Sequence, residues 1–148
     1  MQGEAHEGIL EERIGEILRR HDGRAGPLIP ILNDVQAALG HVPAAAVPLI
    51  AAALNLSRAE VHGVVTFYHD YKAAPAARPV IRLCRAEACQ ARGVEALAPV
   101  FEGDARIQVE TVYCLGLCAS GPNAMVGDQV FARLDEAAAK RLIGEVAA

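Results

Sequence analysis

The chain has 148 residues, of which 53% are hydrophobic and only 4% aromatic, with no Trp, so its core is built from Leu, Ile, Val and Ala. Seven basic and nine acidic groups fall in residues 1–78, and the same numbers in 79–148, so each half carries −2. That even acidic balance excludes the basic face that nucleic-acid binding or polybasic membrane attachment requires.

Residues 6–20 place Leu10, Ile14, Ile17 and Leu18 on one helical face. Two glycines in residues 21–26 mark a loop. Pro27 then stands where a first helical residue belongs, and Leu28, Ile31, Leu32, Val35 and Leu39 form a second stripe closed by Gly40. Pro43 opens a third helix carrying Val47, Ile50 and Leu54, and Pro48 can delay its first turn. Ser57 and Glu60 spell a capping box, which starts a fourth helix at Arg58. That helix leads into an aromatic cluster of Phe67, Tyr68 and Tyr71. His62 and His69, seven apart, are expected on a shared face, as packing or interface residues rather than metal ligands. Residues 72–79 lack an apolar period and read as a linker, so the expected division is a helical region, 1–74, and a second domain, 75–148.

The second half changes character. Strands are expected over residues 79–84 and 106–112, with a helix over 87–101 between them that Gly93 weakens. Short strands at 124–126 and 130–133 flank Gly127-Asp128 as a hairpin, and Asp135 caps a final helix running to residue 146. This strand–helix–strand, hairpin, helix plan is that of a thioredoxin-like α/β unit. Pro122 precedes a strand where such folds often carry a cis proline.

The chemistry lies in four cysteines, Cys84-x4-Cys89 and Cys114-x3-Cys118, with 24 residues between the pairs. No basic leader followed by an apolar segment opens the chain, and no apolar run is long enough to span a bilayer, so the expected location is cytoplasmic. In that compartment cysteines stay reduced, which disfavours two disulfides. A structural zinc and an iron–sulfur cluster both take four thiolates. An oxidised [2Fe–2S] centre with four thiolates carries a formal charge of about −2, and about −3 when reduced, so it needs N–H donors and nearby cations. Gly116 and Gly121 let backbone approach the sulfurs, Arg85 and Arg92 lie beside the first pair, and the helix following Cys89 can aim its N-terminus at them.

Residues 28–43 (LIPILNDVQAALGHVP) and 56–68 (LSRAEVHGVVTFY) resemble the helical N-terminal part of a known family. It comprises the small [2Fe–2S] subunits of NADH:quinone oxidoreductase, NAD-reducing hydrogenases and NAD-dependent formate dehydrogenases. Cys84-x4-Cys89 and Cys114-Leu-Gly-Leu-Cys118 resemble its thioredoxin-like ferredoxin domain. Within the family, residues 84–90 (CRAEACQ) and 61–70 (VHGVVTFYHD) are most similar to the gamma subunit of the soluble molybdenum formate dehydrogenase.

The resemblance implies an α/β chain, a helical bundle followed by that domain, with one [2Fe–2S] cluster on Cys84, Cys89, Cys114 and Cys118. It implies an electron-transfer subunit without substrate chemistry of its own. FMN and NAD are then expected on one neighbouring subunit, and the molybdenum cofactor on a large iron–sulfur subunit. The sequence carries neither G-x-G-x-x-G nor G-x4-G-K-[ST], in keeping with that division of labour. A zinc-stabilised adaptor and a free-standing thioredoxin-like ferredoxin are the other readings. The free ferredoxin leaves the helical half without a purpose.

Overall fold

A computed structural model describes residues 2–148, with side chains from residue 8 onward. Its contacts divide the chain into two compact units that meet between Pro75 and Ala76.

The first unit is helical: α1 (Gln2–Arg20), α2 (Leu28–Leu39), α3 (Ala46–Leu54) and α4 (Arg58–Phe67). The apolar stripes become its core, where Ile14, Ile17, Ile31, Leu32, Val35, Ile50 and Val61 are at most 2% exposed. Each such side chain contributes about 1.5–3 kcal/mol by leaving water, which is what holds α2, α3 and α4, helices of 12, 9 and 10 residues that would be marginal alone. The punctuation follows from local chemistry. Pro27 sits one residue before the helix rather than inside it, and its carbonyl accepts from Ile31 N–H. Gly40 closes α2 at φ 75°, the left-handed conformation that costs glycine least. Pro43 lies outside α3, which begins at Ala46, while Pro48 is accommodated in its first turn. Ser57 and Glu60 form the complete capping box.

One expectation for the end of this unit is corrected. Helix α4 ends at Phe67, and Tyr68 already has extended backbone, so His69 lies beyond the helix and shares no helical face with His62. The aromatic cluster is present, with Tyr68 edge-on to both Phe67 and Tyr71 at ring-centroid distances of 5.1 and 6.1 Å. Tyr71 turns inward, its hydroxyl donating to Asn33 Oδ1 at 2.8 Å, whereas Phe67 is 73% exposed and stacks edge-on against Tyr68. Gln36 straps the following segment down, donating to Asp70 O and accepting from Lys72 N–H, so the free connection starts later than Lys72.

The second unit runs β1 (Val80–Cys84), α5 (Glu87–Ala91), α6 (Val94–Glu102), β2 (Gln108–Val112), β3 (Ala124–Val126), β4 (Gln129–Phe131) and α7 (Glu136–Val146). The sheet order is β2-β1-β3-β4. β1 pairs with β2 in parallel, as a helical crossover requires, and with β3 antiparallel, while β3 and β4 form the hairpin at Gly127. Ile81 and Leu83, two apart, face one side and meet Val94, Leu97 and Phe101 of α6 and Leu142 and Ile143 of α7. The single helix expected over 87–101 is two, because Gly93 adopts φ 90° and breaks it. Asp135 caps α7 as expected, accepting from Ala138 N–H. The architecture is thus the expected one, helices first and then a thioredoxin-like α/β unit. No described helix is long and apolar enough to cross a membrane.

Candidate metal centre

The central strand delivers the first thiol. Cys84 is the last residue of β1, where the sheet ends and the chain turns toward α5. Cys89 sits within the short helix α5, one turn on. Both are buried, at 1% exposure. Cys114 and Cys118 come from the loop after β2 and are exposed. Cys114 is held at φ 72° and Gly116 at φ 81°, so the loop curls back on itself and sets the two sulfurs 3.6 Å apart. Cys118 opens a single 3₁₀ turn that runs to Ser120. Gly121-Pro122, which follows, is a cis peptide, at the proline where the sequence suggested one.

The thiols act on one another electrostatically, Cys84 on Cys89 and Cys118, and Cys118 on Cys89. Burial acts to raise the pKa of Cys84, but N–H donors of Ala86, Cys114 and Leu115, with the Cys89 thiol, outweigh it and hold this thiol below its ordinary value. Cys89 is pushed up, first by burial, then by the Cys84 thiol, against a lowering hydrogen bond from the Asn123 backbone. Cys118 is pushed up chiefly by the neighbouring Cys114 thiol. A set of thiols that obstruct one another's ionisation, yet are supplied with N–H donors, suits a cation that takes their charge.

Four cysteines imply either one metal ion or a cluster. Among the described residues no three His, Cys, Asp or Glu side chains converge on one metal-ion position. The thiols stand as pairs instead, Cys84 with Cys89 and Cys114 with Cys118. Two thiolates on one tetrahedral metal at about 2.3 Å stand about 3.8 Å apart, and the Cys114–Cys118 separation of 3.6 Å agrees with that. A two-iron cluster asks for two thiolates at each iron. Gly121 adds a cradle. A Cβ there would stand 3.2 Å from Cys89 Sγ, so a side chain would crowd the sulfur where glycine leaves it room. The residues present fit a [2Fe–2S] cluster.

Among the sequence expectations for the surroundings, the one for Arg85 is corrected. Arg85 does not turn its charge to the thiols. Its guanidinium grips Glu95 at 2.6 Å and Glu102 at 2.9 Å on α6, and those hydrogen bonds raise its pKa further. Arg92 is exposed, with its aliphatic Cδ 3.0 Å from where a Gly121 Cβ would be. The helix that follows Cys89 is α6, which begins at Val94, since Cys89 itself already lies inside α5. The donor the sequence placed at a helix end is the N–H of Ala86, which reaches Cys84. The residue that sequence reasoning missed is Asn123, buried beside Cys89. Its one signal was an amide side chain opening an apolar strand directly behind the last cysteine loop.

A thioredoxin-like sheet with four paired thiols at the end of its central strand defines a small iron–sulfur carrier. The chain belongs to the thioredoxin-like [2Fe-2S] ferredoxin family, whose profile matches residues 14–147. It is 30% identical over 155 aligned positions to a subunit of the NADH-quinone oxidoreductase of Escherichia coli (strain K12), covering 96% of this chain and 93% of that one. It is 26% identical to the HndA subunit of the NADP-reducing hydrogenase of Solidesulfovibrio fructosivorans, over 82% of this chain and 78% of that one. It is also 31% identical to the alpha subunit of the NAD-reducing hydrogenase HoxS of Cupriavidus necator, where it spans 84% of its own length but 23% of the relative's. Among solved structures, the crystal structure of an NAD+-reducing [NiFe]-hydrogenase in its H2-reduced state superposes with a TM-score of 0.68 at 27% identity, over 82% of this chain and 22% of that one. A [2Fe–2S] cluster is the cofactor the family carries.

Proposed function

We propose that the chain is a non-catalytic electron-transfer subunit of an NAD-linked oxidoreductase complex, with Cys84, Cys89, Cys114 and Cys118 holding one [2Fe–2S] cluster. The observation that carries this reading is the paired arrangement of the four thiols at the end of β1, two buried and two exposed. The cluster supplies one-electron chemistry when bound, whereas hydride chemistry at a nicotinamide moves two electrons. Cys84 and Cys89 anchor the site in the domain core. Cys114 and Cys118 bring its other side to the surface, where Tyr113 is 75% and Leu117 42% exposed. That is the side on which a flavin- and NAD-binding partner subunit is expected. Residues 1–74 are the docking region in this reading, and 75–148 the electron carrier, working in the cytoplasm.

The complex we propose is a formate dehydrogenase, with a molybdenum- and iron–sulfur-bearing large subunit. Support comes from residues 84–90 and 61–70, which resemble the formate dehydrogenase gamma subunit. The second reading is the equivalent place in a quinone-reducing or hydrogen-oxidising complex, favoured by the relatives' own names. A zinc-stabilised adaptor would use the same cysteines without redox chemistry.

Protein purified from its native host under anaerobic conditions should contain two irons and two acid-labile sulfides per chain, as the proposed cluster requires. It should bring down a flavin–NAD subunit and a molybdenum subunit with formate-dependent NAD reduction. Stoichiometric zinc in place of iron would overturn the electron-transfer reading. Iron with hydrogenase or quinone-reducing partners would overturn the formate assignment alone.

A further inference from the structure

Asn123 is 1% exposed and is the buried polar side chain among the described residues. Its Nδ2 stands 2.8 Å from the Leu117 carbonyl oxygen and 3.7 Å from Cys89 Sγ, within the longer reach of a sulfur acceptor. The Leu117 carbonyl can only accept, so the amide must present its nitrogen there. Rotated, two oxygens would face each other. The amide has two N–H bonds, and these two acceptors use both. Its Oδ1 is left buried without a hydrogen-bond partner, an arrangement folded chains generally avoid. The main chain of the same residue is also engaged. Its N–H reaches the Cys89 sulfur, and its carbonyl accepts from Cys84 N–H at 2.9 Å. Leu117 immediately precedes Cys118. One residue therefore bears on the segments of three of the four cysteines.

We propose that Asn123 is a positioning residue for the cluster: its side-chain amide donates one N–H to the Cys89 sulfur, raising the reduction potential, and with the other fixes the loop that carries Cys118. The inference rests on the four cysteines holding a [2Fe–2S] cluster. Reduction adds one negative charge, part of which resides on the ligand sulfurs. A donor aimed at such a sulfur favours the more negative state. The unpaired Oδ1 follows from this role, since both donors are committed and the oxygen must face the opposite way. A side chain present for packing alone would be aliphatic at this depth.

The test uses the whole chain, with iron and sulfide measured first. Asn123→Leu removes both donors and keeps an aliphatic body. Asn123→Asp keeps the shape and offers acceptors only. In electron paramagnetic resonance redox titrations with dithionite, each loaded variant should show about a tenfold lower ratio of reduced to oxidised cluster at the wild-type midpoint. For a one-electron couple that is about 59 mV. An unchanged midpoint in fully loaded Asn123→Leu overturns the proposal. Should the variants lose the cluster, the wild-type side chain is still readable. The sequence has three asparagines, so an Asn33→Ser/Asn55→Ser chain leaves Asn123 as the one asparagine. With 15N in its side-chain amide alone, the reduced cluster should show a 15N hyperfine coupling by pulsed resonance. Absence of that coupling overturns the proposal with the cluster reading intact. Wild-type protein without iron overturns the cluster reading itself.

Discussion

Gly121 has φ −66°, a conformation any residue adopts, so its lack of a side chain serves space rather than backbone freedom. A methyl group there would stand 3.2 Å from Cys89 Sγ and 3.0 Å from Arg92 Cδ. The arginine stem can yield, but a sulfur fixed in α5, which in the proposed reading is committed to the cluster, cannot. Gly121→Ala should therefore reduce iron occupancy or shift the visible spectrum. Gly127→Ala, at φ 55° in the hairpin with open space around it, should cost about 1–2 kcal/mol of stability and leave the spectrum alone. Iron analysis and visible circular dichroism of the two variants separate the effects. Equal spectra would show that the contact at Gly121 is slack. The four cysteines stood out as candidates in the sequence because thiolates at ligand spacing have few other uses. Asn123 was not, because an asparagine after proline reads as a turn former and nothing local reveals that it is buried. Arg85 misled for the opposite reason. It adjoins Cys84 in sequence, while the carboxylates that capture it lie ten and seventeen residues on, on the face of α6.

Among the elements, α4 shows most directly how a short helix is fixed by its first turn. Ser57 Oγ accepts from Glu60 N–H, and the Glu60 carboxylate accepts from Ser57 N–H at 2.8 Å. The carboxylate also accepts from the Ser57 hydroxyl at 2.8 Å, and its two bonds from Ser57, the backbone one first, hold the Glu60 pKa below its ordinary value. A depressed carboxylate stabilises the fold above its unfolded pKa, about 4.3. That contribution fades as pH falls through the lower folded value. Ser57→Ala should lower the stability of the chain by about 1 kcal/mol at pH 7. Glu60→Gln should destabilise at pH 7 and converge on wild type as pH falls below 4. Urea denaturation of the metal-free chain, followed by helical circular dichroism, measures both. A Glu60→Gln difference that does not change with pH would mean the carboxylate's charge is not what matters. This cap was readable from two letters. The break at Gly93 was only half readable, since a glycine weakens any helix but only its positive φ shows that the chain turns there. The end of α4 at Phe67 was unreadable for a related reason: the apolar and aromatic letters continue past it, and the backbone leaves the helix anyway.

For the whole molecule the question is what each unit contributes. The unit ending at Pro75 has its own apolar core and no cysteine, while its surface keeps Phe67 73% and Tyr68 42% exposed. Aromatic side chains left in water are the residues most enriched among interface anchors. The unit from Ala76 holds all four thiols and a separate core around Phe101, Leu83 and Leu142. At 73 residues it is small for a domain that relies on burial alone, and metal binding would add folding free energy. In the proposed division of labour, deleting residues 1–74 leaves a chain that still binds two irons. It should melt at a higher temperature loaded than stripped of metal, and it should no longer co-purify with the partner subunits. Substituting Phe67→Ser in the full chain should weaken co-purification while leaving iron content unchanged. Tagged expression in the native host, with iron assay and partner quantitation, reads both. Full assembly of the truncated chain would assign docking to the cysteine domain, and loss of iron on truncation would show that the helices sustain the site itself.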